Sequence, residues 1–512
     1  MPTVENTYKW KVSVIAQYTD SWATEYQLLI DAIKAQLNTP KIHFIIFKYY
    51  ADTTPNADPN ANCKASLIEY YQGGDGIEKP LAPCNLYNAQ TLTDFFKDHV
   101  ETVTADAHIL ITWGHGAGLG YFEPPSDNDG GGIETPAWAK PVSKERPDVF
   151  PINKHHGRKP PSIIEANEFI NTAAMLKANL SRSATSVQGQ EAASLNFNVK
   201  IRDNLYEIKD LKTLDDTLVL VTAEQLAGNL KALSQPIDLF IACNCYCQMF
   251  DSGLALMETV RLMVAAETSY PITGFNYTPF FQAIQKDISR DFVGLAKNVC
   301  DNFMAKYKGP AAPPIPAGVA NFNFDHVSIS ANDLSGYNDL LLVVNRLADW
   351  QVTNFNALSP EGKAWHNYMY TARGSCGDFS NSGCLIDLHQ YLDQLNASLS
   401  AFNLLDFKAI YQDFLALQTK CLIDILLPKK QIIIPGPFIP PFPPVLIYAI
   451  PQFLSVFFPD AGENSSANAI YSRYYAPGAQ GTAQQQKLIT WDDFVRKYYI
   501  QSSIGQKEIP AK

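Results

Sequence analysis

A chain of 512 residues, 46% of them hydrophobic, is long enough for a large buried core and about two or three subdomains. Its formal net charge of −11 argues against a nucleic-acid surface and makes basic peptides or cationic surfaces the more natural partners. The 9 cysteines are odd in number and scattered apart from one close group, which argues against a disulfide framework and for a reducing compartment.

Met1 to Val12 has no basic region followed by an apolar one, so no secretory signal is expected and the chain is placed in the cytoplasm, with export of a longer precursor as the alternative. Lys9 to Tyr18 is the first predicted strand. Asp20-Ser21 is expected to cap a helix over Ala23 to Leu37, whose Tyr26, Leu29, Ile30, Ile33 and Leu37 fall at helical spacing. Lys41 to Tyr49 is the second strand, and this βαβ opening implies a parallel sheet. Ala51 to Pro83, rich in Asn, Asp, Pro and Gly, is expected to be mostly loop. Asn88 to Val100 is helical, with Thr91-Leu92-Thr93-Asp94 as a cap-like segment. His108 to Trp113 is strand-like and stops at Gly114-His115-Gly116-Ala117-Gly118.

From Phe122 the composition shifts to Gly, Pro, Ser and Asn, marking an insertion over about 122–215 with a helix at Ile163 to Leu180. His155-His156 lies there in a basic, Pro-rich loop and reads as solvated. Gly130-Gly131-Gly132 has no strand before it and no Lys-Ser/Thr after it, so it is not a phosphate loop. The core pattern returns at Thr217 to Val221. Thr222-Ala223-Glu224-Gln225 then forms a capping box for a helix to Leu233. Ile237 to Ala242 is the short apolar run of a buried parallel strand, and it ends in Cys243-Asn244-Cys245-Tyr246-Cys247. A helix over Gln248 to Leu262, a short strand at Met263 to Glu267, a turn-rich loop over Ser269 to Tyr277 and a largely helical Phe280 to Lys308 follow. After a stiff linker at Gly309 to Ala317, helices are expected at Leu334 to Trp350, Asp387 to Leu395 and Phe402 to Cys421. A strand at Phe453 to Phe458 and a closing helix at Thr490 to Tyr499 end the pattern. The apolar span from Ile432 to Phe458 holds seven prolines and cannot form a membrane-spanning helix. Its part from Ile432 to Ile450 is either a partner-binding surface or a cover for the core.

One strand thus delivers a histidine and another a thiol, both at strand ends, where open α/β sheets place their ligand sites. That is the arrangement a Cys-His nucleophile needs, because the imidazole can take the thiol proton. Gly116 lacks a Cβ, so its N–H can approach a substrate carbonyl and share an oxyanion hole with the N–H of the nucleophile. In a fully extended segment Cys243, Cys245 and Cys247 would share one face, but the turn into the next helix is expected to break that alignment, and a buried inert thiol fits at least one of them. Their spacing is not that of a structural zinc site and no second Cys/His pair is near in sequence, so neither metal nor cofactor is expected.

These residues resemble the clostripain-like cysteine peptidases, of the caspase-like clan CD. That family has a strand ending Trp-x-His-Gly-x-Gly, matched by Trp113-Gly114-His115-Gly116-Ala117-Gly118. Its Met-Val-Ala-Ser-Glu strand and Gly-Trp-x-Tyr turn are similar to Met263-Val264-Ala265-Ala266-Glu267 and Gly274-Phe275-Asn276-Tyr277. Its Leu-Ser-Ile-Tyr-Phe-Pro resembles Leu454-Ser455-Val456-Phe457-Phe458-Pro459, and its final aromatic helix resembles Trp491-Asp492-Asp493-Phe494 with Tyr498. The family's Asp-Ala-Cys is where the chain departs, offering Cys243 and Cys245 as candidate nucleophiles. Counting without gaps from Asp238 forward, and from Met263 back, places the family cysteine on Cys245; the Ala242-Cys243 dipeptide favours Cys243 instead.

The resemblance implies a caspase-like, mostly parallel α/β sheet flanked by helices, with a catalytic domain at 1–308, the insertion within it, and a helical C-terminal subdomain at 309–512 packed on the core. It implies a cysteine endopeptidase acting on a protein or peptide through an acyl-thioenzyme, with Cys245 and His115 catalytic and Gly116 and Cys245 holding the oxyanion. Cys243 and Thr273 then fall at the substrate pocket, Cys243 where the family has an aspartate for a basic P1 residue. The other reading is an inactive caspase-like scaffold that binds proteins.

Overall fold

The computed structural model describes residues 8–37, 41–52, 61–72, 76–116, 120–122, 220–268, 270–286, 289–308, 328–354, 385–400 and 404–426, with shorter pieces elsewhere after 367. The insertion beyond Phe122, with the helix expected at 163–180, His155-His156 and the triple glycine, lies outside the described residues, as does the linker at 309–317.

The strands are β1 (Tyr8–Tyr18), β2 (Ile42–Tyr50), β3 (Ala65–Tyr70), β4 (Glu78–Pro80), β5 (Ala105–Trp113), β6 (Gly120–Tyr121), β7 (Val221–Thr222), β8 (Ile237–Cys243), β9 (Val260–Ala265), β10 (Ile329–Asp333), β11 (Leu385–Asp387), β12 (Leu422–Leu426), β13 (Ile432–Pro435), β14 (Leu446–Ala449) and β15 (Ser455–Phe457). A nine-stranded sheet runs in the order β12-β10-β9-β8-β5-β1-β2-β3-β4. From β9 to β2 all neighbours are parallel. The two strands at each edge are antiparallel additions. Beside the sheet stand the pairs β6–β7, β11–β15 and β13–β14.

The central strands are apolar almost throughout because both faces of the sheet are covered. On β5, Ile109, Ile111 and Trp113 enter one core with Val12 and Val14 of β1 and Leu239 and Ile241 of β8. Helices Ala23–Lys34, Tyr277–Lys286 and Phe292–Lys308 close that side through Leu29, Phe280 and Val299. Leu110, Ile15 and Phe240 enter the opposite core, covered by Leu92, Leu226, Phe250 and Leu340. Burying each such side chain is worth about 1.5–3 kcal/mol.

Several elements differ from expectation. Asp20–Trp22 is a 3₁₀ turn, and the helix from Ala23 starts without a side-chain cap. The cap expected within 91–94 is Asn88, whose side chain accepts the Gln90 N–H, and the helix it starts ends in a π turn at Phe96–Val100. The polar stretch 51–83 holds β3 and β4. The first of these is nearly all buried, which its flanking Asn and Pro residues conceal. The capping box of Thr222 and Gln225 forms with both of its bonds, although the helix stops at Leu230. The helix after the cysteines is short, Phe250–Leu256, and β9 begins at Val260, before the expected Met263. The helical span to Lys308 is two helices, Tyr277–Lys286 and Phe292–Lys308. Helices Tyr337–Asn354, Leu388–Ser398 and Leu405–Cys421 lie where the C-terminal periodicity expects them, while β10 and β12 carry this part of the chain into the sheet. The expected strand at 453–458 is β15, paired with β11. Trp491 and Phe494, from the expected closing helix, pack on Phe458. Among the described residues no helix is long and apolar enough to cross a membrane.

A buried carboxyl pair ties the end of β9 to the C-terminal strands. Ser455 Oγ donates to Glu267 at 3.2 Å. Asp387 accepts the backbone N–H groups of Gln390, Gln452 and Phe453 at 2.6, 2.8 and 2.9 Å. Burial, then the facing charge of Asp387, raises the Glu267 pKa well above the carboxylate range. Burial also raises Asp387, but its three N–H donors oppose the shift, so the proton rests on Glu267. The folded state therefore keeps a proton that the unfolded chain releases above its ordinary pKa of 4.5. Stability from this group is complete below that value and falls as pH rises above it, by up to about 1.4 kcal/mol per pH unit. Glu267→Gln keeps the hydrogen-bonding shape without the titration. Thermal unfolding at pH 5 and pH 8 should show the variant gaining on wild type at the higher pH; parallel curves would refute this assignment.

Candidate active site

The site lies where β5 and β8 end side by side, with Trp113 opposite Cys243 in the parallel register. Past this pair the strands lose their ladder partners, and side chains take over. Asn244, fully buried, donates from Nδ2 to the carbonyls of Gly114 and His115 at 3.1 and 2.7 Å. Its Oδ1 accepts from Thr112 Oγ1. Gln17, at the end of β1, accepts the His115 N–H on Oε1 at 3.0 Å and donates to Phe122 O at 3.3 Å. The histidine loop is thereby held from both neighbouring strands. It closes on itself through the Phe122 N–H to His115 O bond at 2.8 Å, which does not draw on the Gly116 amide.

Two glycines permit this packing. Gly114 has φ +149°, and a Cβ there would stand 2.7 Å from Gln17 Cβ. A Cβ on Gly116 would lie 2.3 Å from Cys245 O and 2.7 Å from Cys245 N. The backbones of Gly116 and Cys245 are thus in direct contact, which no larger residue at 116 allows.

The structure separates the three cysteines by environment. Cys243 is buried, and burial pushes its pKa up to about 12, against the opposing effect of the Tyr270 and Tyr277 hydroxyls and the Lys306 charge. Cys247 is also buried, its thiol raised well above the ordinary value by burial, and it donates toward Cys245 O at 3.4 Å. Cys245 is half-buried, as is His115 on the facing loop. Its sulfur accepts the Tyr270 N–H at 3.2 Å and lies 3.6 Å from Tyr270 O. Cys243 and Cys245 border the same core, whereas Cys247 enters the opposite one. Tyr246, between them, has φ +59°, the reversal that ends the alternation expected of a straight strand.

The His115 ring packs edge-on against Trp22 at 4.6 Å, and Trp22 packs on Trp113 at 5.8 Å. Trp113 Nε1 donates to Ile272 O at 2.9 Å, fixing the loop that carries Thr273. Thr273 is half-buried; its hydroxyl pairs with Tyr307, and its carbonyl accepts from Lys306 Nζ at 2.6 Å. His115, Gly116, Cys243, Cys245 and Thr273 therefore gather at one end of the sheet. Sequence reasoning missed Gln17, Asn244 as a tie, Tyr270, and Lys306. Their signal was polarity in an apolar setting: Gln17 closes an apolar strand, and Lys306 stands beside Phe303 and Tyr307 on the buried side of its helix. Among the described residues no group of three or more His, Cys, Asp or Glu could hold a metal ion.

No family model matches the chain, and no curated protein matches it. Solved structures do. A secreted C11 cysteine protease from Bacteroides thetaiotaomicron is similar with a TM-score of 0.50 at 12% identity, over 94% of this chain and 99% of that one. An inactive zymogen C11 protease from Parabacteroides distasonis is similar with a TM-score of 0.49 at 14% identity, over 95% and 99% of the two chains. The mostly parallel sheet flanked by helices is the fold of C11, clostripain-like cysteine proteases, the family that the sequence motifs resemble.

Asn244 is the most exacting part of this junction. Asn244→Ala strands the Gly114 carbonyl and the Thr112 hydroxyl in a buried setting, at about 1–3 kcal/mol for each group left unsatisfied, while His115 O keeps the Phe122 N–H. Denaturant unfolding should show a loss of about 2 kcal/mol or more; a loss under about 0.5 kcal/mol, the level of an ordinary surface change, would mean that the two loops do not depend on it.

Proposed function

We propose that the protein is a cysteine endopeptidase, with Cys245 as nucleophile and His115 as its base. One observation carries this reading: the half-buried thiol sits on a backbone pressed against Gly116, the residue after the half-buried histidine. Cys243 suits the role less well, being buried with its thiol held protonated.

In the proposed cycle the imidazole of His115 takes the Cys245 proton and the thiolate attacks the peptide carbonyl. The Tyr270 amide offers the sulfur a hydrogen bond, and the N–H groups of Gly116 and Cys245 receive the developing oxyanion. The tetrahedral adduct collapses as the imidazolium protonates the departing amine, leaving a thioester on Cys245. His115 then takes a proton from water, which attacks the thioester and frees the acid and the thiol. The partner this implies is a protein or peptide substrate, and the cycle needs no cofactor.

Cys245→Ala and His115→Ala should each lower turnover of an unstructured protein substrate by at least about a thousandfold, by analogy with other nucleophile–base pairs. Cys243→Ala should keep measurable activity. A thiol-reactive peptide ketone, with the labelled residue mapped by mass spectrometry, should mark Cys245 in wild type and in the Cys243 variant. Labelling and activity that follow Cys243 instead would overturn the assignment. A folded protein that neither cleaves nor labels would leave the protein-binding scaffold as the function.

A further inference from the structure

We propose that Lys306 sets the charge of the side-chain pocket beside Cys245, so that the residue preceding the cleaved bond is preferentially Asp or Glu and not Arg or Lys. This rests on the peptidase reading and adds the substrate class to it.

The pocket is traced outward from the sulfur. The backbone N–H of Tyr270 meets Cys245 Sγ, and the buried hydroxyls of Tyr270 and Tyr277 face the thiol of Cys243. Lys306 also acts on Cys243 through its charge, and its ammonium donates to Thr273 O at 2.6 Å and Phe275 O at 3.4 Å. It stands 5.9 Å from the centre of the Tyr277 ring and 5.6 Å from that of Tyr307. Tyr307 in turn bonds the Thr273 hydroxyl and Gly274 O. Cys243, Thr273 and Lys306 are thus linked to one another next to the proposed nucleophile, and we take them as the wall that a substrate side chain meets.

The charge of that wall is what matters for a substrate. Cys243 and Thr273 are uncharged, and among the described residues no carboxylate pairs with Lys306. An ammonium has three donor protons; carbonyls take two and the residue is half-buried, which leaves one donor for the proposed ligand. A substrate Arg or Lys entering here would bring a second cation beside the first and find no counter-charge for its own desolvation. An Asp or Glu would receive a charge-assisted hydrogen bond. The overall charge of −11 does not oppose this, because long-range fields are screened beyond about 8 Å in physiological salt.

Burial brings the Lys306 pKa down to about 8, which places the loss of its charge within reach of experiment. The other titratable groups facing it, Cys243, Tyr277 and Tyr307, are all pushed upward by burial and keep their protons in this range.

The test is a set of peptides differing only at P1, with Asp, Glu, Ala, Leu, Lys or Arg, compared by kcat/KM. At pH 7 wild type should favour Asp or Glu over Lys or Arg by about tenfold or more, as an unscreened charge contact allows. Lys306→Met should bring the ratio to about one or reverse it. Wild type supplies a second arm that needs no variant: the ratio of Glu to Leu substrates should fall between pH 7 and pH 9 as Lys306 loses its charge, and any effect of pH common to both substrates cancels in it. Turnover led by Arg or Lys, or a ratio indifferent both to the substitution and to pH, overturns the proposal while leaving the peptidase reading intact. Failure to cleave any member, together with no labelling of Cys245 by a peptide ketone, overturns both.

Discussion

The geometry of this molecule hangs on one side-chain amide. Parallel strands expose a row of carbonyls at their C-terminal ends, and those groups must find donors once the ladder stops. Asn244 supplies donors to the carbonyls of Gly114 and His115 and takes the Thr112 hydroxyl in return. That binds the end of β8 to the loop beyond β5. Gln17 makes a matching tie from β1. The loops that follow two separate strands become a single polar junction inside an apolar frame. The spacing between His115 and the cysteine turn is therefore set by buried hydrogen bonds, which hold distances far more tightly than hydrophobic contact does.

The frame itself is rigid because the middle of the sheet is buried on both sides. A slip of one residue in β5 would exchange Ile109, Ile111 and Trp113 for their neighbours in the two cores. Trp113 adds a directional constraint, since its indole must face a core and still reach Ile272 O. The loop bearing Thr273 is located by the same strand that locates His115.

Much of this was legible in the residues. Apolar runs gave β1, β2, β5 and β8, the βαβ opening gave their parallel sense, and His115, Gly116 and the cysteines lay at the strand ends where ligands meet such sheets. What escaped was short or interrupted. β3 hides among Asn and Pro, and β10 and β12 are five residues each, too brief for periodicity to register. Val260 looks helical in sequence because it follows an apolar helix without a Gly or Pro between them. The chemistry of the pocket escaped for another reason. Lys306 and Tyr270 act on Cys243 and Cys245 from loops and helices that pattern alone does not bring together, and only the folded chain shows which polar group faces which.

Ser455 carries a consequence for the order in which the protein is made. Its N–H bonds Gln248 O at 2.9 Å, and its hydroxyl reaches Glu267 across 188 residues of chain. The turn holding the cysteines is thus braced by a strand that leaves the ribosome long after the turn itself. Contacts of such separation are slow to form, because a long loop must close before they reward it. A nascent chain that ends before β15 holds its cysteine turn without this brace, and the turn reaches its final support only once β15 has been made.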